Sequence, residues 1–331
     1  MSASEERKNI GRRDFIRHGA ATAVGLGIGL ATESRAQSDH KSKKDTRSRV
    51  VLVRDAAAMT PEGQRESELM GGMLERAVCA YTGEQDGVSA IRHFINPGDT
   101  VGIKMNVMMT ATHPELVAAL ARLLVRAGVS NEKIIVWDRD NAGIGVKGAY
   151  ERKMHYGFGD NSVSRIITEE ATALINIPAL KSHWLSGMAG AIKNWCGAVT
   201  AINVRDYDTP FPIHGDSCAD LGMLGAIDSI RDKSRLVLLD CLQPLFEGGP
   251  QVNPAYLWRY GGLMAAEDPV AVDTLCTKLL QAKRDRHRGR PWPINPPPKH
   301  VPLADTKWGL GVADPERIDL IALGEEKDRL I

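Results

Sequence analysis

The sequence predicts an α/β fold: a mostly parallel sheet with crossover helices on both faces, in a single large domain. Two observations carry this expectation. Short β-branched runs alternate with longer stretches of helical apolar spacing, the order of a sheet whose parallel strands are joined by helices. The 331 residues are 43% hydrophobic and 25% charged, ample material for one full core.

The first segment stands outside that fold. Gly11-Arg12-Arg13-Asp14-Phe15 is followed by the weakly apolar run Gly19 to Ala31 and by Ser34-Arg35-Ala36. A charged region, a short apolar region and a small-residue cleavage site in that order read as a signal peptide over residues 1–36. The pair Arg12-Arg13 with Phe15 behind it resembles the twin-arginine export consensus, an address read by a receptor. The expected partner is therefore the twin-arginine translocase, and the expected location is the periplasm. The Gly-rich run is shorter than the roughly 20 residues that span a bilayer, so no membrane span is expected in the mature form. Residues 37–49 are polar and basic and read as a flexible linker, leaving 50–331 as the α/β domain.

Within the domain, Val50 to Val53 is a β-branched strand, and Glu66 to Tyr81 carries Leu69, Met73, Leu74 and Val78 at helical spacing. Pro97-Gly98-Asp99 turns into a strand over Thr100 to Lys104. His113-Pro114-Glu115 opens a helix to Arg126, with Pro in the first turn and an acidic residue suited to the helix dipole. Lys133 to Asp138 and Ala173 to Ile177 are strands, and Gly187 to Asn194 is expected to begin a helix. Leu236 to Asp240 is a buried strand and Pro269 to Ala282 an amphipathic helix, with Asp268 as its cap. Pro291 to Pro302 is too rich in Pro for a regular element, and Ile318 to Leu323 is a late strand.

Composition excludes several functions. Lys plus Arg, 42, nearly balances Asp plus Glu, 41, and aromatic residues make up only 5%. With neither a basic field nor stacking rings, nucleic acid is not an expected ligand. The five cysteines contain no close pair, so an iron-sulfur cluster is not expected in this chain. Neither a G-x-G-x-x-G fingerprint nor a G-x-S-x-G elbow is present.

The chemistry-bearing residues gather at predicted strand ends. Lys104 and Asn106 close one strand, Lys181 and His183 follow another, and Lys193 and Asn194 come one short segment later. In an open parallel sheet such positions meet in the crevice beyond the carboxyl ends of the strands. A group so formed would bind a small anionic ligand, with Lys104, Lys181 and His183 as acid–base candidates and Asn106, His113, Lys193 and Asn194 as binding candidates. Alternatively, each Lys pairs with a nearby Asp. Of the acidic residues Asp138, Asp140, Asp240, Asp268 and Asp273, the set Asp240, Asp268 and Asp273 is the candidate for a divalent metal. His214-Gly215-Asp216-Ser217-Cys218 is either a copper or zinc loop or an ordinary polar one. Cys196, one helical turn after Lys193, is either a stabilised thiolate or a buried, inert thiol.

Five stretches together resemble a known family: Gly98 to Asn106, Thr112 to Glu115, Asn176 to His183, Ala191 to Asn194 and Asp268 to Asp273. Their order is similar to that of the prokaryotic domain of unknown function 362 family, over about residues 50–323. The resemblance implies no defined activity. It implies a redox association for many members, which carry ferredoxin-type Cys clusters in an added segment, and this chain lacks such a cluster. Two functions stay open: an enzyme acting on a small anionic substrate, or a non-catalytic accessory protein with a redox partner.

Overall fold

The computed structural model describes residues 47–60, 67–139, 151–154, 163–199 and 213–331. The signal segment with Arg12 and Arg13, most of the linker, and Asp140 lie outside the described residues.

The fold is α/β, as the sequence predicts. Among the described residues, ten strands form one sheet. They are β1 (Ser48–Arg54), β2 (Val101–Met105), β3 (Ile134–Asp138), β4 (Glu151–Met154), β5 (Ala173–Ile177), β6 (Ala179–His183), β7 (Gly187–Ala189), β8 (Ser234–Leu245), β9 (Gly262–Ala266) and β10 (Ile318–Gly324). Their order is β10-β1-β9-β8-β5-β2-β3-β4, with β6 paired to β8 and β7 to β6. Most pairs are parallel; β9 is antiparallel to both its neighbours, and β6 and β7 form an antiparallel pair.

Alternation along the strands divides the core between the two faces. Val51, Val53, Ile103 and Ile175 pack with the apolar stripes of α1 (Ser67–Thr82), α2 (Gly87–Arg92) and α3 (Pro114–Arg126). Their neighbours Val50 and Leu52 face the other way. That second face is covered by α4 (Ala191–Asn194), α5 (Pro269–Arg288) and α6 (His300–Thr306). Asp268 caps α5 by accepting from Val270 N and Ala271 N, ahead of Pro269 in the first turn, as expected of that pair.

Four local expectations are corrected. The first strand begins at Ser48, because Ser48 and Arg49 pair with Ile318 and Asp319 of β10. Gly187 does not begin a helix: it enters β7 at φ 76°, and a Cβ there would lie 2.3 Å from the Pro296 carbonyl oxygen. The helix starts only at Ala191. Lys181 and His183, expected just after a strand, lie within one, β6. The Pro-rich segment gives way to α6 at His300.

The topology fixes where a site can form. From β2 the chain passes through α3 to β3 on one side, whereas from β5 it passes to β8 on the other. Strands β2 and β5 are adjacent and parallel, with Lys104 opposite Asn176. Successive connections therefore diverge between these two strands, and a crevice opens beyond their carboxyl ends.

Candidate functional site

Lys104, Asn106, Lys181, His183, Lys193 and Asn194 all line one cavity of about 340 Å³ at that crevice. They arrive from three directions: β2 and its following loop, β6, and α4. The chain that ends β5 turns at Pro178 and continues as β6 beside the long strand β8, which carries Lys181 past the end of β5. Helix α4 is fixed from behind by buried Asp273, which accepts from Ala191 N at 2.7 Å and Ile192 N at 3.0 Å.

The polar floor is a connected network. Lys104 Nζ donates to Asp138 Oδ1 at 2.5 Å and to the Met105 carbonyl at 2.7 Å. Asp138 also accepts from Val107 N and Arg139 N, so both of its oxygens are engaged. Asn194 Nδ2 donates to Asn176 Oδ1 at 2.7 Å, and Asn176 Nδ2 donates to the Ala191 carbonyl. Gly197 closes over the pair so tightly that a Cβ there would lie 2.5 Å from Asp138 Oδ1 and 2.9 Å from Lys104 Nζ. The pair is buried on both sides, its side chains 1% and 4% exposed. Lys104 thus has its charge met, as in the structural alternative.

Lys181 is different. Its Nζ donates to the Met108 carbonyl at 2.9 Å and the Thr110 carbonyl at 2.8 Å, and no carboxylate among the described residues bridges to it. Burial first, then the neighbouring charge of Lys193, bring its pKa down to about 7. Both carbonyls also accept from Asn106 Nδ2, so the loop over residues 106–112 is held by two donors.

His183 supplies a fixed neutral ring. Its Nδ1 accepts from Leu185 N at 3.1 Å and Ser186 N at 3.3 Å, an arrangement that places the ring proton on Nε2. Burial, followed by the charges of Lys193 and Lys181, lowers its pKa to about 3. Lys193 meets no carboxylate among the described residues; its Nζ lies 3.9 Å from Cys196 Sγ. That contact does not create a thiolate, because burial outweighs Lys193 and raises the Cys196 pKa.

Other candidates have separate tasks. His113 does not line the cavity: Asp240 Oδ2 accepts from its backbone N and meets its Nδ1, both at 2.7 Å. Asp240, Asp268 and Asp273 are not gathered; they engage His113, the start of α5 and the start of α4 respectively. Among the described residues no group of three or more His, Cys, Asp or Glu is placed to hold a metal ion. In the 214–218 loop, Asp216 turns away to pair with Lys299 and Cys218 is buried, while His214 lines the cavity.

Sequence reasoning missed the rim. Met108, Met109 and Trp184 line the same cavity and are 50%, 46% and 58% exposed. Their only sequence signal is adjacency: each sits within a few residues of a strand-end Asn or His.

Residues 144–278 match a family model. Its description is Domain of unknown function (DUF362), and the match covers less than half of the 331-residue chain. It takes in β6, α4 and the start of α5, hence Lys181, His183, Lys193 and Asp273; the strand carrying Lys104 and Asn106 lies before it. The match supports the family that the sequence resembles, and the DUF362 description assigns no activity. No curated protein matches the chain. A crystal structure of a protein from Thermotoga maritima is similar over 62% of this chain, at 11% identity and a TM-score of 0.33. The similar region spans 56% of that protein, and a likeness of this size bears on neither activity nor ligand.

Proposed function

We propose that the strand-end cavity is the active site of an enzyme that moves a proton on a small organic anion. Lys181 is the acid–base group, Lys193 the anchor for the anion, and His183 a neutral donor. The observation that carries this reading is the state of Lys181: buried, bonded only to carbonyl oxygens, and brought to about 7. A group with that pKa is present in both protonation states at neutral pH, the condition under which one side chain can remove a proton and return it. An anion bound at Lys193 would bring its acidic C–H or O–H near Lys181. Charge developing on its oxygen would then be met by the fixed Nε2–H of His183, a donor that needs no reorganisation.

Exchange into heavy water tests this without knowledge of the product. The protein is incubated in D2O with a panel of small carboxylic and 2-oxo acids, and loss of the proton signal next to the carboxylate is followed by NMR. We expect catalysed exchange on at least one acid and its loss in Lys181→Met. Anion binding with no exchange on any acid would instead favour the non-catalytic accessory role.

We also propose that the chain reaches the periplasm through the twin-arginine translocase. Support comes from the order Arg12-Arg13, apolar run and Ala36 in the sequence. Replacing Arg12 and Arg13 together by Lys should leave the precursor in the cytoplasm, because Lys lacks the planar guanidinium fork. Normal periplasmic yield from that variant would contradict the assignment.

A further inference from the structure

The described residues leave five large hydrophobic side chains exposed: Met108, Met109, Val125, Trp184 and Val252. Three of them line the cavity, and Val252 directly follows Gln251, which also lines it. Isolated exposed apolar side chains are ordinary; several around one cavity mark a surface meant to be covered. Trp184 lies nearly parallel to the His183 ring, 8° between planes and 6.3 Å between centroids, so a flat apolar face continues from the neutral donor.

Met109 has a left-handed backbone, φ 60°, unusual for a residue with an unbranched apolar side chain. The carbonyls on either side of it, those of Met108 and Thr110, are each held by Asn106 Nδ2 and Lys181 Nζ. A conformation of this kind persists where surrounding bonds over-determine it, and such places cluster at ligand clamps. The bonds that fix Lys181 thus also present two thioethers, soft groups that pack well on aromatic rings.

Charge selects the head group. Lys104 is neutralised by Asp138, and Lys193 is the cavity lysine that neither meets a carboxylate nor bonds a carbonyl among the described residues. Arg139 lines the cavity from an exposed position. With Lys181 in the neutral form that accepts a proton, Lys193 is the inner cation left uncompensated, and it suits a single negative charge better than a phosphate dianion, whose second charge would stay unmet in a partly desolvated site.

We infer that the cavity selects a flat, apolar organic monocarboxylate, with its carboxylate on Lys193 and its ring between Trp184 and the Met108–Met109 turn. This rests on the anion-site reading and adds the class of substrate. A volume of about 340 Å³ accommodates an acid of this size.

Titration calorimetry with phenylacetate, acetate, phenylacetamide and inorganic phosphate tests the inference. Phenylacetate should bind about tenfold or more tighter than acetate and than phosphate, from burial of its ring, and phenylacetamide should lose at least about tenfold from loss of the charge. Trp184→Ala should erase the advantage of phenylacetate over acetate while leaving acetate unchanged, and Lys193→Met should weaken both acids. Equal affinity for phenylacetate and acetate, or phosphate as the tightest probe, would overturn the inference while leaving an anion site standing. Failure of every probe to bind, with circular dichroism showing folded protein, would end both readings.

Discussion

Lys104 and Lys181 are both buried, both near the carboxyl ends of strands, and both in the wall of one cavity, yet their surroundings assign them different work. Lys104 faces Asp138 on the neighbouring strand β3, whose other oxygen is tied to the backbone. Lys181 donates to two carbonyls and bonds no carboxylate among the described residues, in the field of Lys193 and, more weakly, of the Asp138–Lys104 pair. The first arrangement holds a charge in place; the second makes the charge costly and the proton exchangeable. Proximity to a strand end brings a lysine to the crevice, and the presence or absence of a carboxylate decides what it does there.

The largest effect that should separate them is on stability. Lys104→Met strands the Asp138 carboxylate in the interior and should cost about 3–5 kcal/mol in denaturant unfolding at pH 7. Lys181→Met strands nothing, because Asn106 also serves both carbonyls, and it removes a charge that burial makes costly, so it should not destabilise the fold at that pH. Equal losses for the two variants would break the distinction.

A smaller effect lies in the pH dependence. The Lys181 pKa is about 7 folded against 10.5 as the reference value. Between those values the unfolded chain holds a proton that the folded protein has released, so stability rises with pH through that window. The wild type should therefore gain on Lys181→Met as pH climbs from about 7 towards 10. Below pH 7 both states of Lys181 are protonated and the difference should level off. A difference that is flat across the alkaline range would mean that Lys181 is charged in the fold.

Much of this arrangement is legible in the sequence. The apolar runs of β1, β2, β3, β5 and β10, the Asp268-Pro269 start of α5 and the convergence of the six polar residues all follow from short-range pattern and from the rule for parallel sheets. What was not legible depends on partners distant in sequence. Pro178 reads as the end of a strand, yet β8 is long enough to accept β6 beyond it. Strand β9, Gly262–Ala266, carries no alternation because both its faces are buried. His113 is marked by its sequence neighbours as a site residue, but Asp240, far along the chain, engages it. The choice of Asp138 for Lys104, and of no carboxylate for Lys181, comes from register between strands, which spacing along the chain does not reveal.

The central claim is that Lys181 exchanges its proton near neutrality. Reductive methylation with 13C-formaldehyde, assigned by comparison with Lys181→Met, gives one dimethyl-lysine signal whose shift follows that side chain through a pH titration. The account predicts a midpoint near 7 for the free protein, moving upward when a carboxylate is added, because a bound anion favours the charged form. A midpoint near the ordinary lysine value of about 10.4, unmoved by any anion, would contradict it.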